Sequence, residues 1–185
     1  NMLNDEGIDI TISVNVAPTD IVDPEFIPFV AQALKTWQIE PGKLMLEVTE
    51  NAMVGDMDRA LDTLHRLKAM GLKLSIDDFG TGYSSLAYLK RMPVDELKID
   101  QLFIRNMLKA KEDENIVRSV IDLAGNFDLT VVAEGVEDLD TMAALRDLGC
   151  RMVQGYFLAK PMPTQDFPGW WTARRGLLVR PKTTG

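Results

Sequence analysis

The sequence contains a single cysteine, Cys150, and a single histidine, His65, among 185 residues. One cysteine cannot form an intrachain disulfide, thiolate zinc sites need several cysteines, and any Ser-His-Asp or Cys-His site would depend on this one histidine. The apolar neighbours of Cys150 predict buried packing, and the helical pattern around His65 predicts a partly exposed helix position. Any catalytic metal is therefore expected to be held by oxygen ligands.

Long apolar runs are absent as well. No run approaches the roughly 18 residues of a membrane span, and the first residues lack a basic stretch followed by an apolar one. We therefore expect a cytoplasmic segment without membrane contact, which leaves open a membrane anchor elsewhere in the parent protein. The formal charge of -8 disfavours DNA and RNA as partners, because nucleic-acid surfaces depend on clustered Lys and Arg.

Six strand-like apolar runs alternate with helical patterns along a chain that is 46% hydrophobic. The predicted strands cover residues 8–16, 44–50, 73–78, 94–100, 129–132 and 151–158. The predicted helices cover 25–37, 57–70, 84–91, a long region up to 126 with a kink near 109–114, 139–148 and 165–174. Repeated strand-helix units predict an α/β fold with a parallel sheet covered by helices.

A polar side chain comes near the end of every predicted strand. These side chains are Asn15, Glu47, Asp77, Lys98, Glu134 and Gln154. An open doubly wound sheet binds its ligand at one switch point, whereas a closed barrel brings all strand ends together, so we predict a TIM-like (β/α)8 barrel. Such barrels have eight strands and about 250 residues, so the chain is expected to begin inside a barrel domain covering 1–174, followed by a mobile tail over 175–185.

Two adjacent carboxylates, Asp77 and Asp78, follow the third predicted strand. They fit a solvated turn, but like charges side by side also favour a divalent cation between them, and oxygen ligands favour Mg²⁺ or Mn²⁺. Paired ions of this kind activate water for phosphate ester hydrolysis. Lys98 suits a phosphate oxygen or the attacking hydroxide, or it neutralises the acids, and Glu134 suits a base or a further ligand.

The loop after these acids imitates a dinucleotide-binding fingerprint through Gly80 and Gly82. The third glycine is missing, and two acids precede the loop where they would repel a pyrophosphate. Together with Thr81, these glycines instead predict a flexible lid or a dimer contact. Outside the strand ends, Glu50 and Glu137 each lie three residues beyond another acid and are expected to support the metal ligands from outside.

Six motifs resemble, in order and spacing, those of EAL-domain cyclic-di-GMP phosphodiesterases. They are Val14-Asn15-Val16, Glu47-Val48-Thr49-Glu50, Asp77-Asp78-Phe79-Gly80-Thr81-Gly82-Tyr83-Ser84-Ser85-Leu86, Leu97-Lys98-Ile99-Asp100, Ala133-Glu134-Gly135-Val136-Glu137 and Gln154-Gly155-Tyr156. The resemblance implies a barrel variant with one antiparallel strand and the metal-dependent cleavage of cyclic di-GMP to linear pGpG. It also implies a homodimer through residues 80–89 and 116–123, with regulatory sensor or GGDEF-type domains in the parent chain.

The resemblance further implies a role for each matching residue. Asn15, Glu47 and Asp77 correspond to ligands of one Mg²⁺ or Mn²⁺ ion, and Asp77 with Asp78 to ligands of a second. The other correspondences are Glu134 as base or second-metal ligand, Lys98 as the residue that orients water and phosphate, Gln154 and Asp78 at the substrate, and Glu50 as the anchor of the loop at Gly80.

The Glu-Ala-Leu sequence that names the family is absent from this chain. Either the parent chain supplies its glutamate upstream or this piece is inactive. Two alternatives to a cyclic-di-GMP phosphodiesterase therefore stay open at this point: a catalytically inactive cyclic-di-GMP receptor, and a barrel enzyme acting on an unrelated phosphorylated metabolite.

Overall fold

A computed structural model describes residues 8–50, 56–81 and 86–174 of the chain. The chain divides into two compact units, one of residues 11–158 and one of residues 1–10 with 159–185. The predicted tail over 175–185 lies outside the described residues. None of the helices within the described ranges has the length and apolar character needed to cross a bilayer.

The larger unit is built on a six-stranded sheet. Its strands are β1 (Ile12–Val16), β2 (Leu44–Thr49), β3 (Lys73–Phe79), β4 (Glu96–Ile99), β5 (Thr130–Ala133) and β6 (Met152–Val153). Each strand pairs in parallel with the next along the chain, which is the order of a TIM-type sheet. All five pairings are parallel, so none of these six strands is the antiparallel strand that the resemblance implies.

Helices connect the strands. In the larger unit they are α1 (Pro18–Ile21), α2 (Phe26–Trp37), α3 (Met57–Ala69), α4 (Leu86–Leu89), α5 (Gln101–Asn106), α6 (Lys111–Asn126) and α7 (Leu139–Asp147), with a 3-10 turn at Pro41–Lys43. The smaller unit contains a 3-10 turn at Thr164–Asp166 and helix α8 (Phe167–Arg174). Local capping explains several starts: the Asp56 and Asp138 side chains accept hydrogen bonds from the third residue of α3 and α7.

The long helix predicted up to residue 126 is broken, not kinked. α5 ends at Asn106, and Ala110 is extended, so its backbone starts a new helix instead of continuing the old one. The first turn of α6 carries Glu112, Asp113 and Glu114. Acids are favourable at a helix N-terminus because they complement its dipole, so the charged stretch marks a helix start.

The last predicted strand is also corrected, because β6 contains only Met152 and Val153 rather than residues 151–158. Beyond β6 the backbone bonds to the segment after β5: the N–H of Val136 donates to the carbonyl of Gln154 at 3.0 Å, and the N–H of Phe157 donates to the carbonyl of Val136 at 3.0 Å. These bonds satisfy the backbone without a regular ladder. The apolar run 152–158 is therefore mostly a shaped loop.

Smaller differences occur near the start of the described chain. β1 begins at Ile12 instead of residue 8, and the short helix α1 occupies a stretch expected only to break the strand. The predicted N-cap, Asp23, forms a turn in which its carboxylate accepts from the N–H of Glu25, and α2 begins at Phe26. Within the described part of the helix predicted over 84–91, Leu86–Leu89 is helical and residues 90 and 91 form a turn, while residues 82–85 lie outside the description.

The core lies where the sheet packs against its helices. Val48, Ile76 and Leu97 lie on three neighbouring strands and pack with Leu64 and Leu67 of α3, all at most 1% exposed. Fully burying an aliphatic side chain of this size stabilises a fold by about 1.5–3 kcal/mol. Because successive strand residues face opposite sides, the polar side chains next to these core positions face away from the helices. The core thus fixes which side of the sheet carries the polar groups.

The two rare residues lie as predicted. Cys150 is buried, with its thiol sulfur 3.2 Å from the carbonyl oxygen of Met152, and burial raises the pKa of the thiol. His65 is exposed on α3. Neither residue lies near the polar strand ends, which is consistent with a site built from oxygen ligands.

Two glycines offer a matched test of this packing. A Cβ at Gly155 would lie 2.1 Å from the Val136 carbonyl oxygen, whereas a Cβ at Gly125 in α6 meets nothing within 4 Å outside its own helix backbone. We expect Gly155→Ala to lower the free energy of unfolding by about 1–3 kcal/mol, the usual cost of overpacking. Gly125→Ala should raise it by about 0.5–1 kcal/mol. Urea unfolding checks both, and equal effects would contradict the packing described here.

Candidate active site

The ammonium group of Lys98 in β4 joins three of the predicted site acids. Its Nζ lies 2.7 Å from Glu47 Oε2, 3.2 Å from Asp77 Oδ1 and 2.8 Å from Glu134 Oε1. These acids come from β2, β3 and the residue after β5, so one cation connects four strands. The Lys98 side chain is only 5% exposed. The prediction that the strand ends meet is confirmed for these four residues.

Burial and pairing act in opposite directions on Lys98. Burial alone lowers its pKa, but the hydrogen bonds to Glu134 and Glu47 outweigh that effect, and the pKa is raised. The group therefore stays charged through neutral pH, with its three N–H donors available to three carboxylates. For Glu134, burial raises the pKa despite the opposing effect of Lys98. A carboxylate of raised pKa is a better proton acceptor near neutral pH.

Asp77 and Asp78 are consecutive, yet both contribute to one site. In a regular strand they would face opposite sides of the sheet. The pairing of β3 with β4 shifts register between Ile76 and Phe79, and Asp78 has the left-handed φ of 55°. A bulge of this kind redirects side chains. As a result, one carboxylate oxygen from each of Asp77, Asp78 and Glu134 lies within 4.8 Å of the others.

Asp100, the residue just before α5, also belongs to the site. It is part of the motif Leu97-Lys98-Ile99-Asp100, but the sequence did not predict a role for it. The pKa of Asp78 is raised by burial first, then by a hydrogen bond with the Asp100 side chain and by the charge of Asp77. The Asp100 carboxylate also accepts from the N–H of Leu102 at 2.6 Å and caps α5. Strand alternation was the available signal, since Asp100 lies two residues after Lys98.

A second missed residue, Glu96, lies two residues before Lys98 on the same strand. It is 7% exposed, and its Oε1 accepts a hydrogen bond of 2.9 Å from the Ser75 hydroxyl. Burial raises the pKa of Glu96 in spite of that hydrogen bond, and the charge of Glu47 adds to the increase. The polar side of the sheet therefore carries the Glu96 carboxylate in addition to those of the site. Glu96 lies nearer than Lys98 to the start of β4.

The remaining predicted strand-end residues, Asn15 and Gln154, are more exposed. Asn15 pairs in register with Glu47, which places it on the neighbouring strand at the same level. Gln154 is exposed and lines a cavity of about 230 Å³ together with Glu134 and Glu137. Both therefore lie beside the buried cluster rather than within it, in positions where a ligand can meet them.

The loop after β3 is joined to β2 through Glu50. Its Oε2 accepts a hydrogen bond of 3.1 Å from the N–H of Gly80, and Glu50 is buried. Gly80 has a φ of 101°, and the Thr81 hydroxyl donates to the carbonyl of Asp78 at 2.9 Å. This contact is consistent with the expected anchoring of the loop by Glu50. Gly82 lies outside the described residues.

The acidic cluster fits a hard divalent cation. Asp77, Asp78 and Glu134 offer three oxygens at mutual distances within 4.8 Å, and both Asp78 and Glu134 have raised pKa values. Clustered carboxylates that repel one another are stabilised by a cation among them. Ligands that are all oxygen suit Mg²⁺, Mn²⁺ or Ca²⁺ better than softer metals. These residues therefore form a candidate metal site.

Comparison with known proteins identifies the class to which this sheet and site belong. The model of the EAL domain family matches residues 1–161. The chain belongs to the EAL domain family. Solved EAL structures share its TIM-barrel-like α/β fold, which confirms the predicted fold class: the EAL domain of Mycobacterium smegmatis DcpA superposes with a TM-score of 0.86 at 39% identity, covering 93% of this chain and 77% of that one.

Two relatives from Pseudomonas aeruginosa carry functional names. MucR, a bifunctional diguanylate cyclase/cyclic di-GMP phosphodiesterase, is 43% identical over 158 residues, and NbdA, a cyclic di-GMP phosphodiesterase, is 41% identical over 152. The match covers 85% of this chain with MucR and 82% with NbdA, but only 23% and 19% of those proteins. The MucR phosphodiesterase in complex with c-di-GMP superposes with a TM-score of 0.86 at 42% identity, covering 90% of this chain and 67% of that one.

Replacing Lys98 tests whether its ammonium holds the acids together. Lys98→Met leaves Glu47, Asp77 and Glu134 without their shared cation, so we expect the free energy of unfolding to fall by about 3–5 kcal/mol. The loss should shrink as the pH is lowered, because Glu134, whose pKa is raised by burial, becomes neutral there and no longer repels the other acids. Urea unfolding from neutral to mildly acidic pH measures both effects.

Lys111→Met is the matched control, since Lys111 forms an exposed ion pair with Glu114 at 2.6 Å. Exposed pairs contribute little to stability, so this variant should unfold almost as the parent does. Equal losses in the two variants would mean that the Lys98 cluster adds nothing beyond an ordinary surface pair.

Asp78 can be tested without disturbing its backbone. Asn tolerates the left-handed conformation as well as Asp does, so Asp78→Asn should keep the fold and relieve repulsion from Asp77 and Asp100. We expect an unchanged or higher free energy of unfolding. The affinity for Mn²⁺ should fall about tenfold or more, because even the loss of a residue that supports a metal ligand has an effect of that size. Asp128, at φ 57° before β5 and thus at the other end of the sheet, supplies the control Asp128→Asn. If calorimetry gave the same affinity for Mn²⁺ in Asp78→Asn and Asp128→Asn, Asp78 would not be a ligand of the metal site.

Proposed function

We propose that this chain carries the site of a metal-dependent phosphodiesterase that hydrolyses cyclic di-GMP to linear 5'-pGpG. The observation that carries the proposal is the convergence of Glu47, Asp77 and Glu134 on buried Lys98 beside a cluster suited to a metal ion. Family membership and the c-di-GMP complex of the MucR phosphodiesterase, which is 42% identical, support the choice of substrate.

The metal ligands are proposed from both the resemblance and the cluster. Asn15, Glu47 and Asp77 are proposed to bind one ion, and Asp77, Asp78 and Glu134 a second, with Mg²⁺ or Mn²⁺ as the metal. When bound, such ions supply Lewis-acid polarisation of the phosphate and lower the pKa of a coordinated water. The Glu-Ala-Leu glutamate that completes the site in the family is proposed to come from the parent chain.

Each residue of this chain then has its own role in the proposed reaction. Glu134 accepts a proton from the attacking water, whose oxygen forms a bond to phosphorus as the bond from phosphorus to the 3' oxygen breaks. The released 3' oxygen takes up a proton, which gives a linear dinucleotide with a 5' phosphate. Lys98 holds the carboxylates of Glu47, Asp77 and Glu134 in position and supplies positive charge beside the phosphate. Gln154 offers an amide to substrate or water at the rim.

The wider setting of the site is also a proposal. The curated relatives are much longer, since the chain spans about a fifth of each, and the cyclase activity in the name of MucR supports a GGDEF-type domain in the parent protein. We propose a cytoplasmic homodimer through residues 80–89 and 116–123. Leu86 and Tyr88, 60% and 38% exposed, support the first of these surfaces. The domain bounds of 1–174 stay a prediction.

Glu134→Gln tests the proposed chemistry. The variant keeps the shape of Glu134 but cannot accept the proton, so kcat for cyclic di-GMP should fall by about 10²- to 10⁴-fold while Kd changes little. Glu40→Gln, an exposed substitution before β2, is the control. Activity, calorimetry and melting temperature are measured on full-length protein with Mn²⁺.

Different outcomes separate the candidate functions. A wild-type protein that binds cyclic di-GMP tightly without metal and yields no pGpG with Mn²⁺ would be a receptor, and the enzyme proposal would be wrong. Near-normal kcat for Glu134→Gln together with a lowered melting temperature would assign Glu134 a structural role only. Turnover of another phosphate ester, with no turnover of cyclic di-GMP, would mean that the site acts on a different substrate.

A further inference from the structure

The turn at the end of β3 has an uncommon backbone conformation. Asp78 has a left-handed φ of 55°, and Gly80 has a φ of 101°. Residues with such a backbone persist only where the surrounding structure holds them in place. The N–H and the hydroxyl of Thr81 both donate to the carbonyl of Asp78, at 3.3 Å and 2.9 Å. These bonds close the turn on itself, so its attachment to the rest of the protein depends on other contacts.

Phe103 of α5 provides one such contact. A Cβ placed on Gly80 would lie 3.1 Å from Phe103 Cε2, 3.7 Å from Cζ and 3.9 Å from Cδ2. The far edge of the ring therefore occupies the space that a side chain at residue 80 would need, an approach that glycine permits. Phe103 also packs against the hydrophobic core, which keeps the ring itself in place. The ring thus connects the turn to the core.

Glu50 supports the same turn from the other side of β3. Its carboxylate accepts from the N–H of Gly80 at 3.1 Å, and it follows β2, whereas Phe103 belongs to the helix after β4. In the sheet, β3 lies between β2 and β4. A single hydrogen bond allows the turn to pivot about it. Two contacts from the elements on both sides of the strand restrict that motion.

The start of α5 meets the turn a second time through Asp100. The Asp100 side chain forms a hydrogen bond with that of Asp78, and the Asp100 carbonyl accepts from the N–H of Phe103 at 3.2 Å. Asp78, Gly80, Phe103 and Asp100 therefore form a closed ring of chain segments and contacts. Loss of the Phe103 ring would leave the turn joined to α5 by the Asp78–Asp100 contact alone among those described here.

We propose that Phe103 is a positioning residue for the metal site, because its ring holds Gly80 and thereby keeps the carboxylate of Asp78 beside those of Asp77 and Glu134. This inference rests on the proposed function, since it concerns the same metal site. The Phe103 side chain has no atom that binds a metal ion or exchanges a proton. It acts through the turn, so its loss should weaken metal binding without abolishing it.

Phe103→Leu is the direct test, because it removes the ring atoms that reach Gly80 and keeps an apolar side chain for the core. In calorimetry without substrate, Kd for Mn²⁺ should rise about tenfold, the effect of losing a residue that supports a metal ligand. The Mn²⁺ concentration that gives half the maximal rate with cyclic di-GMP should rise by a similar factor, while kcat at saturating Mn²⁺ stays within a few fold. Phe103→Met, whose long flexible side chain fills part of the gap, should be intermediate.

A double-mutant cycle tests the contact itself. Gly80→Ala adds the Cβ that meets the ring, so it should also weaken Mn²⁺ binding. If both changes act through one contact, the loss in the double variant Gly80→Ala/Phe103→Leu should be clearly smaller than the product of the two single losses. Gly149→Ala controls for backbone strain, since Gly149 has a φ of 91° before β6 and a Cβ there meets nothing within 4 Å. It should lower stability and leave Kd for Mn²⁺ unchanged.

Leu102→Ala is the matched control on α5. Leu102 is the neighbour of Phe103 and is 61% exposed, so this variant should bind Mn²⁺ as the wild type does. All variants are compared as full-length protein, and the melting temperature of each is measured without metal. A purely structural role of Phe103 would lower that temperature and leave Kd for Mn²⁺ of the folded protein unchanged.

The outcomes distinguish this inference from the function on which it rests. If the wild type binds Mn²⁺ and cleaves cyclic di-GMP, and Phe103→Leu binds Mn²⁺ equally well, the positioning role is wrong and the phosphodiesterase stands. Single losses that simply multiply in the double variant would contradict the contact with Gly80. If the wild type binds no Mn²⁺ and cleaves no cyclic di-GMP, the proposed function is wrong, and the role of Phe103 at its metal site is wrong with it.

Discussion

The buried contact of one ammonium group with three carboxylates is the interaction on which the rest of the site depends. Glu47, Asp77 and Glu134 belong to different strands, and among the described residues only Lys98 forms ion pairs with all three. Isolated charges are expensive to bury, so the acids can lie this deep only because the lysine pairs with them, and the lysine only because the acids surround it. The sequential parallel sheet makes the contact possible, since it delivers all four strand ends to one edge.

The sheet and its polar edge could be predicted because both follow from simple periodicity. Apolar runs ending in Glu47, Asp77 or Glu134 alternate with helical patterns, and parallel strands bring their ends together. Asp100 and Glu96 escaped the reasoning because each strand was assigned one polar end residue, although residues two apart share a face. The raised pKa values of Asp78 and Glu96 follow from burial and neighbours that only the folded chain defines.

The segment after β6 differs most clearly from the sequence prediction, because backbone hydrogen bonds, and not side chains, determine its course. The run after β6 has the apolar composition of a strand, but its amides bond to the segment after β5, and Tyr156 and Phe157 are 60% and 36% exposed. No periodicity encodes such a crossing. The consequence reaches the site, because this loop and the segment after β5 line the cavity that Gln154 shares with Glu134 and Glu137.

The bulge in β3 has a consequence for how the acidic pair responds to perturbation. In most carboxylate clusters the spacing between oxygens depends on which rotamers the side chains adopt. Here Asp77 and Asp78 are neighbours along the chain, and the N–H of Asp78 donates to Asp77 Oδ1 at 3.0 Å. The position of this Asp77 oxygen is therefore tied to the main chain of β3. Changes in side-chain packing that leave the strand in place should leave that oxygen in place as well.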